Sequence, residues 1–213
     1  MDLTEAISTQ RAIRRLKPDP VDDDVIKRCL QLAIHAPSGG NRQGWEWIVV
    51  KDPEVKAALA RQYRMVWKIY GGLGRLLYGG DEKQRRTLDA VQWQVDHFEQ
   101  IPALVVPCLR GIALPIPSIV RTSRYGSIYP AIQNFLLAAR VEGLGAALVT
   151  LPLWSRIVAH RILNLPPTVE PIAVIPIGWP KGRYGPNTRR SLEKVLHFDR
   201  YGNKESETHR PKP

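Results

Sequence analysis

Only two of the 213 residues are cysteine, Cys29 and Cys108, each inside an apolar run and far from the other. That scarcity excludes a disulfide-stapled scaffold and predicts two buried thiols in a reducing compartment. No apolar run reaches the roughly 18 residues that a membrane-spanning helix requires. The opening residues, Met1-Asp2-Leu3-Thr4-Glu5, carry neither a basic leader nor an apolar stretch, so a soluble, cytoplasmic protein without a membrane partner is expected. The five histidines have no metal-ligand spacing. A Ser-His-Asp or Cys-His arrangement is also missing, which leaves nucleophilic hydrolysis without its residues. Acids are in deficit: Lys and Arg outnumber Asp and Glu by 31 to 20, for a net charge of +11 and a pI near 10.0. Such a charge suits nucleic acid, an anionic surface or a phosphorylated small ligand alike. No helix-turn-helix, zinc or RNA-recognition pattern accompanies it, so a nucleic-acid-binding rival rests on charge alone.

What is present reads as one domain over residues 1–201, with a polar tail at 202–213 expected to be disordered. At 44% hydrophobic and 24% charged residues, the chain can bury a substantial core. Its most informative stretch is Ala36-Pro37-Ser38-Gly39-Gly40-Asn41-Arg42-Gln43-Gly44-Trp45. Pro37 ends the helix before it, the glycine pair permits a tight turn, and Asn41 and Gln43 offer amide groups at alternate positions. Those residues serve a binding loop, and they equally serve an ordinary helix-to-strand turn. Arg11, Arg14, Arg15 and Lys17 place four positive charges within seven residues. The run reads as a solvated basic turn or as a phosphate clamp, since guanidinium groups grip phosphate in a bidentate fork.

Along the chain, Asp2 with Glu5 predicts a helix start, and Asp22-Asp23-Asp24 predicts another. Val25, Cys29, Leu32, Ala33 and Ala36 recur at helical spacing and predict a core-facing helix. A strand is expected over 45–50, followed by a helix opened by Asp52-Pro53 and reaching about Val66. Gly71-Gly72, Gly74 and Gly79-Gly80 then predict flexible backbone, either a lid or a plain surface excursion, ahead of a charged helix start at Asp81. These glycines lack the strand-and-helix context of a nucleotide loop. A buried strand is expected at 101–109, a loop over 110–125, and an apolar helix over 131–141 opened by Pro130. Strands over 144–151 and 171–179 flank a helix near 155–163. Trp45 and Trp47 alternate on one strand, so at least one packs in the core.

Five stretches, in order, resemble the FMN-dependent nitroreductase family over residues 5–202. They are the basic Gln10-Arg11-Ala12-Ile13-Arg14-Arg15 start, the 36–45 loop, the 129–146 helix and its exit, the Pro176-Ile177-Gly178-Trp179-Pro180 strand end, and the finish from Ser191 to Gly202. The resemblance implies an α+β fold with a central mixed sheet flanked by helices, an intertwined homodimer, and FMN in the dimer interface. It further implies hydride transfer from NADH or NADPH to a nitroaromatic, quinone or similar electron-poor acceptor by a ping-pong cycle, the flavin N5 replacing any catalytic side chain. By resemblance, Arg11 and position Ala12 face the phosphate side, and Arg14 the flavin N1/O2 edge. Pro37, Ser38, Asn41 and Gln43 match loop contacts, and the backbone of Leu148, Val149 and Thr150 lies near N5. Arg189 and Arg190 match a basic pair reaching the phosphate. Gln10 and Ala12 depart from the family's Arg and Ser, which keeps a flavin-binding protein with little turnover as the alternative.

Overall fold

The computed structural model describes residues 1–78, 80–111 and 118–204. Helix α1 (Leu3–Thr9) begins at the expected cap, where the Asp2 carboxylate accepts the Glu5 N–H at 2.7 Å. Helix α2 (Asp23–Ala33) is capped by Asp22, which accepts the Asp24 N–H at 2.8 Å, and it buries Ile26, Cys29 and Ala33. Leu32, expected on that stripe, is 54% exposed, because it stands about 90° from the stripe's centre on a 3.6-residue helix. Strand β1 (Trp45–Val50) falls where expected.

Helix α3 (Pro53–Tyr78) corrects the sequence expectation by running well past Val66 through Gly71, Gly72 and Gly74. Each interior glycine costs roughly 1 kcal/mol relative to alanine, and packing offsets that cost. The Trp67 indole occupies the space that a Gly71 Cβ would need, at 2.6 Å, and Leu88 sits 3.1 Å from the position at Gly74. Helix α4 (Glu82–Asp96) follows, with Asp81 accepting the N–H groups of Lys83 and Gln84. Strand β2 (Ala103–Arg110) comes next.

The loop expected over 110–125 is corrected in part: residues 112–117 lie outside the described residues, and helix α5 (Ser118–Val141) already covers 118–125. Pro130 lies inside that helix rather than opening it. A mid-helix proline removes one hydrogen bond at about 3 kcal/mol, and the fully buried Ile128, Ala131, Ile132 and Phe135 around it offset the loss. The strand expected at 144–151 contracts to β3 (Gly145–Ala146), plus one bridge between Val149 and Val174 and a 3-10 turn at Leu151–Leu153. Helix α6 (Arg156–Ile162) is capped by Ser155. The last expected strand is divided into β4 (Val169–Pro171) and β5 (Ile175–Gly178). Of the expected tail, residues 205–213 lie outside the described residues.

The sheet order is β1-β2-β5-β3, with β4 also pairing to β2. The central sheet flanked by helices is present as expected, but where a mixed sheet was expected each described strand pairing is antiparallel. Between β1 and β2 the chain crosses twice, down α3 and back along α4, which returns it to the end it left. Strand β2 is buried on both faces. Ala103, Val105 and Leu109 join Ile26, Cys29, Ile132 and Phe135 on the α2/α5 side. Leu104, Val106 and Cys108 join Leu59, Tyr63 and Phe98 on the α3/α4 side. The two-residue alternation of a strand thus divides one apolar run between two cores. Trp47 stacks on Phe135 at 6.0 Å, as the core reading of that strand requires. Cys29 and Cys108 are free and buried, and burial pushes both thiols up to about 12. Among the described residues no helix is long and apolar enough to cross a membrane.

Candidate functional site

After α1 the chain extends along the ends of β3 and β5. Ile13 donates its N–H to the Ala146 carbonyl at 2.9 Å, Lys17 donates to Trp179 at 2.7 Å, and Lys181 donates back to Arg15 at 3.0 Å. Two glycines let this segment lie flat on the sheet. A Cβ at Gly145 would stand 2.6 Å from Leu16 Cδ2 and 2.8 Å from Ile13 Cγ2, and one at Gly178 would stand 2.9 Å from Pro102 Cγ.

This seating turns Arg14 inward. Its Nε is shut from solvent without a hydrogen-bond partner, and burial lowers the guanidinium pKa, opposed by the nearby Tyr63. Tyr63 is fully buried, its phenol donates to Gln94 Oε1 at 3.3 Å, and burial pushes its pKa up to about 12 against the pull of Arg14. Gln94 is fully buried, yet its Nε2 has no partner either. A half-buried cation with an unused donor fits an electron-rich polar group. Tyr63 and Gln94 escaped sequence reading, although a glutamine on the apolar face shared with Val91 and Val95 was a signal.

Arg11 is exposed and lies beside the C-terminal arm. Its Nη1 stands 4.0 Å from a Cβ position at Gly185, and its charge acts on Tyr184. That tyrosine donates to the Leu144 carbonyl beneath the Arg140 guanidinium, 4.0 Å from the ring centroid. Asn187 fastens the arm to α1, donating its N–H to Ser8 at 2.8 Å and its side-chain amide to Ile7 at 3.1 Å. Ala12 is exposed beside Arg11. Arg189 and Arg190 lie farther along the arm, exposed, with Arg189 donating to the Thr188 carbonyl at 2.9 Å. Leu148 and Thr150 are exposed, whereas the Val149 N–H is engaged with Val174 at 2.9 Å.

The 36–45 loop is built separately. Ser38 Oγ accepts the Gln43 N–H at 3.0 Å, Gly39 donates its N–H to Ser127 Oγ at 3.1 Å, and the Gln43 amide donates to Asn41 Oδ1 at 3.0 Å. Gly40, Asn41 and Gln43 have positive φ values of 60°, 53° and 49°, the region that glycine and asparagine enter most readily. Pro37 is exposed at its start. Beside the loop is a cavity of about 570 Å³ reaching the end of β2 and the early turns of α5. No residue from 11–14 or 148–150 lines it. One copy of the chain therefore brings Arg14, Tyr63 and Gln94 together at one place and the loop residues at another. Among the described residues no cluster of three or more His, Cys, Asp or Glu could hold a metal.

Comparison with known proteins gives a consistent picture. The profile described as "Nitroreductase family" matches residues 7–179. An iodotyrosine deiodinase from Nematostella vectensis is 24% identical over 196 residues, 90% of this chain and 73% of that protein. An NADH dehydrogenase from Thermus thermophilus is 28% identical over 197 residues, covering 92% and 95% of the two chains. The crystal structure of oxidized iodotyrosine deiodinase bound to FMN and 3-iodo-L-tyrosine superposes with a TM-score of 0.68 at 20% identity, over 94% of this chain and all of that one.

Proposed function

Since the chain belongs to the nitroreductase family, we propose that it is an FMN-dependent oxidoreductase. In this reading it takes a hydride from NADH or NADPH and reduces a nitroaromatic, quinone or similar electron-poor small molecule, working as a homodimer. The observation that carries the reading is Arg14, a half-buried guanidinium whose Nε is shut from solvent and unused. FMN, when bound, supplies the hydride chemistry, and the related deiodinase structure carries that cofactor.

Each residue then has a task. Arg14 holds the polar edge of the ring system, backed by the fully buried Tyr63–Gln94 pair. A guanidinium fixed in a dry site favours whichever state of its partner carries more negative charge, because it needs no reorganisation to do so. Arg11 holds the phosphate side, where the fixed arm offers it a wall, with Arg189 and Arg190 as further cations on that side. The backbone at Leu148 and Thr150 meets the central ring. Pro37, Ser38, Asn41 and Gln43 complete the site from a second copy, consistent with their separation from Arg14 within one chain. The reaction consumes no side-chain acid or base, in keeping with a site whose polar groups are donors.

The test compares two variants of the purified protein titrated with FMN. Arg11→Ala loses a charge-assisted contact of about 1.5–3 kcal/mol, so its FMN dissociation constant rises about 10- to 100-fold at an unchanged midpoint potential. Arg14→Ala lowers the potential, by roughly 30 mV for about 1.4 kcal/mol lost from the reduced state alone. Identical changes in both variants, or none in either, refute the assignment. Bound flavin that neither NADH nor NADPH bleaches under anaerobic conditions favours the non-turnover alternative.

A further inference from the structure

The cavity beside the 36–45 loop has a character of its own. Among the described residues its lining comprises Arg42, Arg110 and Arg124, the serines 38, 123 and 127, four glycines and Leu109, with no carboxylate side chain. Two of the arginines are already compensated. Arg110 pairs with Glu46, and Arg124 pairs with Glu170 at 3.0 Å while donating to the Gly111 carbonyl at 3.0 Å. Arg42 is exposed and has no ion-pair partner among the described residues. The cavity is therefore lined, among the described residues, by one arginine without an ion-pair partner, three serines, four glycines and Leu109. Its volume of about 570 Å³ lies within the roughly 300–1,000 Å³ of small-molecule sites.

We propose that this cavity binds an anionic small molecule by its carboxylate or phosphate group, with Arg42 as the residue that selects for the charge. Ser127, which already accepts the Gly39 N–H, ties the loop carrying Arg42 to α5, the other wall of the cavity. Arg124 is 17% exposed on its side chain and locked by Glu170, so it shapes the wall and adds background potential. An uncharged ligand of the same shape gains less from Arg42, because its hydrogen bond lacks the opposite charge. The identification of the ligand as the electron acceptor rests on the reductase reading above, whereas the preference for an anion does not.

The test uses a matched pair of probes, 4-nitrobenzoate and 4-nitrobenzyl alcohol, which share shape and differ in charge. With the FMN-loaded full chain, Arg42→Ala is expected to raise KM for nitrobenzoate about tenfold, the loss of one charge-assisted contact. KM for the alcohol and the affinity for FMN stay within about twofold, and Arg42→Lys retains most of the nitrobenzoate preference. Calorimetric titration of nitrobenzoate onto the flavin-free chain reads binding without turnover. Arg42-dependent binding in a chain that reduces nothing would overturn the reductase reading and uphold the anion site. Competition by inorganic phosphate or by acetate tells which anionic group the cavity prefers, and failure of both to compete overturns the proposal. Equal shifts for the acid and the alcohol, no shift for either, or a loss of FMN affinity in Arg42→Ala would each overturn it as well.

Discussion

Gly145→Ala tests how the fold supports Arg14. A methyl at that position would sit 2.6 Å from Leu16 Cδ2 and 2.8 Å from Ile13 Cγ2, about 1 Å inside the usual contact distance of about 3.5–4.0 Å. Leu16 is 3% exposed and cannot swing into solvent. The backbone on either side is held by the 2.9 Å bond from Ile13 to Ala146 and the 2.7 Å bond from Lys17 to Trp179. The segment has to lift by about 1 Å, and overpacking of this kind costs about 1–3 kcal/mol. Arg14 lifts with it, so FMN affinity falls alongside stability. Urea unfolding gives the first quantity and flavin titration the second, with Gly182→Ala as the control because its Cβ meets nothing within 4 Å. Adding Leu16→Ala removes one colliding methyl, so the double variant is expected to be more stable than the sum of the single changes by about 1 kcal/mol or more. An unchanged midpoint for Gly145→Ala, or strict additivity in the cycle, would refute this account of the seating.

Glu142 is held below the usual carboxylate range by its hydrogen bonds from Arg28, with the charge of Arg28 adding to them. A lowered folded-state pKa stabilises fully above the unfolded value of about 4.3 and loses that effect as pH falls through the folded value; Glu142→Gln should cost under about 1 kcal/mol at pH 7 for this exposed pair, and the gap to the parent should close below about pH 4 in urea melts. The Cys29 and Cys108 thiols, both pushed up to about 12 by burial, are expected to stay silent towards a chromogenic disulfide reagent at pH 8 and to react fully in guanidinium. Gly126→Ala in α5, where an added Cβ meets nothing within 4 Å, should stabilise the protein by about 0.5–1 kcal/mol in the same unfolding assay.

Much of the fold was legible where a side chain acts on its immediate neighbours. Asp2, Asp22 and Ser155 each cap the helix they precede, and β1 spans the alternating residues expected of it. Legibility failed where tertiary packing overrode local propensity. The glycines of α3 read as breakers, but Trp67 and Leu88 fill the space beside them. Pro130 read as a helix start, but the core on both sides carries the helix through it. The strand expected over 144–151 shortened because pairing depends on a neighbour far along the chain, and β5 runs only from Ile175 to Gly178.

The candidate site divides along the same line. Arg14 was legible as a charge beside a turn, while its burial was not, because burial depends on Gly145 accepting Ile13 and Leu16 from a segment more than a hundred residues away. Tyr63 and Gln94 belong to two helices of a hairpin, and only their approach to 3.3 Å makes a polar pair of them. The loop residues behave differently, since Ser38, Asn41 and Gln43 close their hydrogen bonds locally and the loop's shape follows from its own sequence. What sequence could not supply there is the opposite wall, Ser123 and Arg124, on turns of α5 that read as loop, with Ser127 one turn on. A charge run is informative about function only after the fold decides which charges it neutralises. Glu46 and Glu170 neutralise Arg110 and Arg124, and the fold leaves Arg42 at the cavity and the half-buried Arg14 without an ionic partner among the described residues.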